Sequence, residues 1–236
     1  MKKLNYKIIT SIFVFFIILL LSISIILANN VTKNVNIKIN KEKIYYEIKY
    51  FDSKIIYMAN VLSDMKNGIN WKELQKQTND LYNYWNSVIL DLNYLDIDKK
   101  DLINFGKNLD ELTASIKYNE KNKILTNLAQ LYSKLIIYVD AIENNNYKNI
   151  LLTKYNLLVA YSIVETENWT LVHEYIMKAS DHIYKVVNSI DVDEYSQYNV
   201  NQAYVAVKEM ENLINIKDAD LFYIKYNIAI EKLENI

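Results

Sequence analysis

From about residue 40 onward, apolar side chains recur three and four positions apart, the spacing that lines one face of an α-helix. Trp71, Leu74, Thr78, Leu81, Trp85, Val88, Leu92 and Leu95 form one such stripe, weakened only at Thr78. Asn70 stands where an N-cap is needed, and Glu73, three residues on, is its capping-box partner. The Leu95-Asp96-Ile97-Asp98 stretch interrupts the pattern, with Asp98 placed to cap the next helix. There Leu102, Phe105, Leu109, Leu112 and Ile116 continue at the same spacing, and a further stripe carries Ile124, Leu128, Leu131, Leu135, Tyr138 and Ile142. Upstream, Ile48, Phe51, Ile55, Met58, Leu62 and Met65 predict a helix that ends near Gly68.

The second half follows the same plan. Trp169, Val172, Ile176, Ala179, Ile183, Val186 and Ile190 match the Trp71 stripe at an offset of 98 (169 − 71). Without a gap, that offset carries the Leu102 stripe onto Val200, Ala203, Val207, Met210 and Ile214, and the Ile124 stripe onto Phe222, Tyr226, Ala229 and Leu233. Asn70-Trp71 recurs as Asn168-Trp169, and Phe51, Ile55 and Met58 find Leu151, Tyr155 and Leu158 at an offset of 100. An offset of 98 is also fourteen heptads, so any two in-phase heptad helices would agree at it. Three successive helices, their interruptions and the Asn-Trp pair agreeing together favour a degenerate duplication. The expected fold is all-α: an antiparallel helical bundle of two repeated four-helix units, residues 41–144 and 145–236, joined by short connectors.

Ahead of the bundle, Ile8 to Ala28 contains no charge, and at 1.5 Å per residue it would reach roughly 31 Å, the thickness of a bilayer's hydrocarbon core. Cleavage as a signal peptide after Ala28 would place bulky Ile26 where a small residue is preferred, so an uncleaved transmembrane helix is expected. The layout is a head at 1–7, a span at 8–28, a juxtamembrane linker at 29–40, then the bundle. Lysines flank the span on both sides, so charge alone does not orient it. A short head followed by a long tail is the signal-anchor arrangement, which predicts a single-pass cell-membrane protein with its C-terminal domain extracytoplasmic.

Composition narrows the picture further. Pro is absent and Gly occurs twice, which leaves little material for β turns. Cys is absent, excluding disulfides, thiolate catalysis and sulfur-based zinc sites. All positive charge is Lys. Beyond the span, 24 Lys (27 less Lys2, Lys3 and Lys7) face 28 acidic residues, so the basic footprint of a nucleic-acid binder is missing. Lys, Asn, Ile and Tyr share AT-rich codons; a bacterial genome of that bias accounts for the 21 Tyr without invoking a tyrosine-lined ligand face.

The short basic head, the single span, a helix, and then a helix carrying W-x13-W from Trp71 to Trp85 before two more amphipathic helices make residues 1–142 resemble a group of small clostridial membrane-anchored proteins whose domain has no assigned function. The resemblance implies the anchored helical architecture and a Gram-positive source, and supplies no reaction. This chain departs from the group by its second unit, where Ile183 stands in place of the second Trp.

Chemistry is sparse. His173 and His182 lie nine residues apart on one predicted helix, on opposite faces, and cannot share a metal. The turns Asp96/Asp98 and Asp191/Asp193 lack the Gly and ligand series of a calcium loop and read as caps and solvated charge. Glu165, Glu167 and Glu174 flank Trp169, Asn168-Trp169-Thr170 reads as a helix start, and no phosphate loop or nucleophile elbow is present. No cofactor, metal or catalytic residue is expected. The leading expectation is a non-catalytic module that binds a protein partner, or itself, through a helix face or the groove between the units. The alternative is a ligand-sensing or solute-capturing domain acting with a separate membrane partner, its contacts at Trp71, Trp85 or Trp169. A carboxylate-dependent envelope hydrolase is the third.

Overall fold

A computed structural model of the chain describes residues 40–63, 68–189 and 194–236. The head, the span expected at 8–28 and nearly all of the linker lie outside the described residues, as do Asp191 and Asp193. Among the described residues there is no strand, and no helix is long and apolar enough to cross a membrane.

Among the described residues nine helices follow one another: α1 (Lys41–Leu62), α2 (Trp71–Leu92), α3 (Lys99–Lys117), α4 (Lys121–Ala141), α5 (Asn145–Val164), α6 (Trp169–Val187), α7 (Glu194–Glu211), the single turn α8 (Leu213–Ile216) and α9 (Ala219–Glu234). Their starts are chemical. The side chains of Asn40, Asn70, Asn144, Asn168 and Asp218 each accept a hydrogen bond from the backbone N–H three residues on. Asp98 caps α3 through Lys100 N–H at 2.8 Å. The capping box at Asn70 is half made: Asn70 accepts from Glu73 N–H, but the Glu73 carboxylate accepts from Gln77 and Tyr57 instead of reaching back. Helix α1 runs to Leu62, Met65 of its expected stripe lies outside the described residues, and Gly68 supplies a left-handed residue (φ +74°) before the Asn70 cap.

Residues 40–236 form one compact unit. In the first set of helices α1 packs on α2, α2 on α3, α3 on α4, and α4 closes back on α1. In the second set α5 packs on α6, α6 on α7, α7 on α9, and α9 closes on α5. The same cyclic order therefore occurs twice, and α4 packs on α5 to join the sets. Neighbours run antiparallel. Lys43 near the start of α1 pairs with Asp91 near the end of α2, while Tyr57 meets Glu73. Likewise Lys121 meets Glu165, and Lys148 meets Asp140, at opposite ends of α4 and α5.

The expected stripes form the core. Leu74, Leu81, Trp85, Val88 and Leu92 are buried on α2, and Leu102, Phe105, Leu109, Leu112 and Ile116 on α3. Val172, Ile176, Ala179, Ile183 and Val186 on α6, and Phe222, Tyr226, Ala229 and Leu233 on α9, are buried in the second set. Boundaries recur at the 98-residue interval as well: α2 and α6 begin at Trp71 and Trp169, α4 and α9 at Lys121 and Ala219. Asn119 (φ 56°) and Lys217 (φ 53°), the left-handed residues ahead of those last two helices, are spaced identically. Helix α5 differs from its neighbours in being covered nearly all round past its first turn, polar Thr153, Lys154 and Asn156 included, because α4, α6 and α9 pack on it from several sides.

Candidate functional site

The stripe of α1 does not stay apolar. Asp52 lies four residues after Ile48 and three before Ile55, on the helix face that is buried, and is 3% exposed. On α5, Lys154 sits three residues after Leu151 and four before Leu158, and is 4% exposed. A lone charge at either place would be costly in a low-dielectric interior. Packing brings the two together: Lys154 Nζ donates to Asp52 Oδ2 at 2.9 Å and to Oδ1 at 3.1 Å.

Two tyrosines complete the carboxylate's shell. Tyr132 of α4, fully buried, donates its hydroxyl proton to Asp52 Oδ1, and Tyr147 of α5 donates to Oδ2 at 3.1 Å. Four hydrogen-bond contacts from three donor groups thus meet the roughly four lone-pair sites of the carboxylate. Burial, with the Asp52 charge behind it, pushes both tyrosine hydroxyls well above their ordinary pKa, so each stays a donor. Among the described residues Asp52 is the one acceptor that meets the Lys154 ammonium, which has three protons to give.

Asp52 and Lys154 both line a cleft of about 370 Å³ and make up its floor. Its walls come from both helix sets: Tyr45, Lys49, Asp52 and Ser53 of α1 on one side, and on the other Asn144, Asn146, Tyr147 and Ile150 at the start of α5, Val186 of α6, Val200 of α7, and Leu233 and Glu234 of α9. Tyr45 and Tyr147 meet edge to face at 4.9 Å between ring centres. Lys49, Ser53 and Asn146 are exposed at the rim. Partial burial holds the Glu234 carboxyl above the usual range; the positive charge of Lys154 opposes this and the negative charge of Asp52 adds to it. The volume lies in the range of small-molecule sites, which also occur between the helices of bundles.

The tryptophans lie elsewhere. Trp85 is 4% exposed and stacks on Phe105 at 4.4 Å, inside the first set. Trp71 is half-buried as the first residue of α2, and Trp169, 8% exposed, opens α6. None of the three lines the cleft. Both histidines are also away from it: His182 Nδ1 lies 3.1 Å from Asn149 Oδ1, and the buried His173 Nδ1 has no partner among the described residues. Glu165 accepts from Lys121 and Tyr223, at 2.6 and 2.8 Å, and Glu174 from Lys178, so these carboxylates serve structural pairs. Among the described residues no group of three His, Asp or Glu side chains is placed to hold a metal ion.

Sequence reasoning did not single out Asp52, Lys154, Tyr132 or Tyr147. The available signal was a charge of each sign falling on the buried face of a predicted helix, at Asp52 and at Lys154. No family model, curated protein or solved structure matches the chain.

Proposed function

We propose that this protein is an anchored, extracytoplasmic, non-catalytic binding protein, and that it captures a small polar solute in the cleft between α1 and the second helix set. The anchor at 8–28 is read from the charge-free run. What carries the reading is the cleft itself: about 370 Å³, floored by a buried ion pair whose ammonium keeps a donor unspent.

The two helix sets are read as copies of one four-helix unit, residues 41–144 and 145–236. Their shared cyclic packing and the recurrence of helix starts and left-handed residues at 98 positions support this beyond the heptad rhythm. A duplicated unit leaves a seam, and the cleft sits where α1 of one copy faces the start of α5 and the end of α9 in the other.

The test is a melting-temperature screen of the full chain in detergent against small polar solutes, repeated on Ser53→Trp, which fills the cleft at its rim. A stabilisation by solute that disappears in Ser53→Trp supports capture; one that persists unchanged removes the cleft from consideration.

A second reading, docking of a protein partner or a second copy on an outer helix face, is favoured by Leu90 (71% exposed) and Ile103 (70%) on the first set, and by Ile224 and Ile228, one turn apart on α9. A stoichiometric partner recovered from native membranes, and lost with Ile224→Lys/Ile228→Lys, is the result that would place function there.

A further inference from the structure

We infer that the solute taken by the cleft is uncharged and rich in hydroxyl groups, a monosaccharide or disaccharide; this rests on the reading of the cleft as a solute site. The argument starts from charge. The floor is already neutral, because Asp52 answers Lys154 at 2.9 and 3.1 Å through both of its oxygens. A ligand carboxylate on an unspent Lys154 donor would therefore sit beside a buried carboxylate, a like-charge contact in a low dielectric. A ligand ammonium on the floor would meet Lys154 itself, and Asp52 has no lone pair to spare. At the rim the lining carries one residue of each sign, Lys49 and Glu234. A neutral oxygen is the acceptor that fits an unspent proton of Lys154 without an uncompensated charge.

The rest of the lining points the same way. A hydroxyl both donates and accepts, so a polyol needs neighbours of both kinds. Asn146 supplies an amide at the rim, Ser53 a hydroxyl and Glu234 a carboxyl. The C–H faces of a sugar ring need apolar partners, and Tyr45, Ile150 and Leu233 provide aromatic and aliphatic walls in the same cleft. Tyr147 is held by Asp52, and the whole floor is therefore positioned before any solute arrives.

Isothermal titration of the full chain in detergent with glucose, maltose, leucine and sodium acetate, with Ser53→Trp and Asn146→Ala alongside, tests the inference. The expected result is saturable binding of glucose or maltose that Ser53→Trp abolishes and Asn146→Ala weakens about tenfold, with no heat from leucine or acetate. If leucine or acetate binds in the Ser53-sensitive manner and neither sugar does, the neutral-solute inference is overturned while solute capture stands. If none of the four binds, this inference and the cleft as a solute site fall together.

Discussion

Asp52 of α1 and Lys154 of α5, 102 residues apart in the chain, share a two-point ion pair with 4% or less of either side chain's residue exposed to solvent. The pair ties the first helix of one set to the first helix of the other. Such a contact gives little net stability over an apolar pair of the same volume, because both charges lose their hydration. Breaking it is another matter.

Lys154→Met should leave Asp52 buried with only its tyrosine partners and cost about 3–5 kcal/mol. Asp52→Asn combined with Lys154→Met removes both charges and keeps an oxygen for Tyr132, and most of that loss should return. Urea denaturation of the four proteins of this cycle measures it. Equal, additive losses in the two single variants would mean that the pair carries no coupling.

Alkali should unfold the protein before its buried tyrosines ionise. Burial raises the pKa of Tyr132, Tyr138, Tyr147, Tyr161, Tyr223 and Tyr226 above the ordinary value of 10. The sign is fixed by linkage: the unfolded chain gives up these protons near 10 while the folded chain keeps them, so stability is fully present below that pH and falls as pH rises through it. Ultraviolet titration of tyrosinate, followed together with helical circular dichroism, should show the buried set ionising only as helicity is lost. Titration of all 21 tyrosines with helicity intact is the opposing result.

Two exchanges involving glycine should both stabilise the protein, for opposite reasons. Gly106 lies inside α3, and an added Cβ meets only Trp85 Nε1 at 3.5 Å, an ordinary contact, so Gly106→Ala should gain up to about 1 kcal/mol from helix propensity. Glu167 holds a left-handed φ of 57° between α5 and α6, a conformation that costs a side chain about 1–2 kcal/mol and glycine nothing. Glu167→Gly should therefore gain roughly 0.5–1 kcal/mol after the larger entropy of its unfolded chain is subtracted. Melting temperatures of both variants decide it, and a fall in either overturns that half.

The tryptophans should respond unequally. Trp85→Ala empties the stack on Phe105 and should cost about 3–5 kcal/mol, whereas Trp71→Ala, at a half-buried helix start, should cost about 1–2 kcal/mol. Iodide should quench Trp71 well ahead of Trp85. Equal quenching of the two would contradict the placement of Trp85 in the core.

Most of the helical plan was legible along the chain, because helix formation and burial there are set by local periodicity and local caps. The Leu74 to Leu92 stripe, the Leu102 to Ile116 stripe and the caps at Asn70, Asp98 and Asn168 each depend on residues within one or two turns of each other. Even the 98-residue recurrence could be read before any packing was known. What the tertiary structure decided is which faces meet. Asp52 and Lys154 each look like a flaw in an apolar stripe until α1 and α5 are brought side by side. Only then do Tyr132 and Tyr147 become donors to one carboxylate and the cleft acquire a floor. Helical periodicity specifies a direction around one axis. It carries no information on which other axis lies opposite, since that choice is made by the shape and charge of surfaces a hundred residues away.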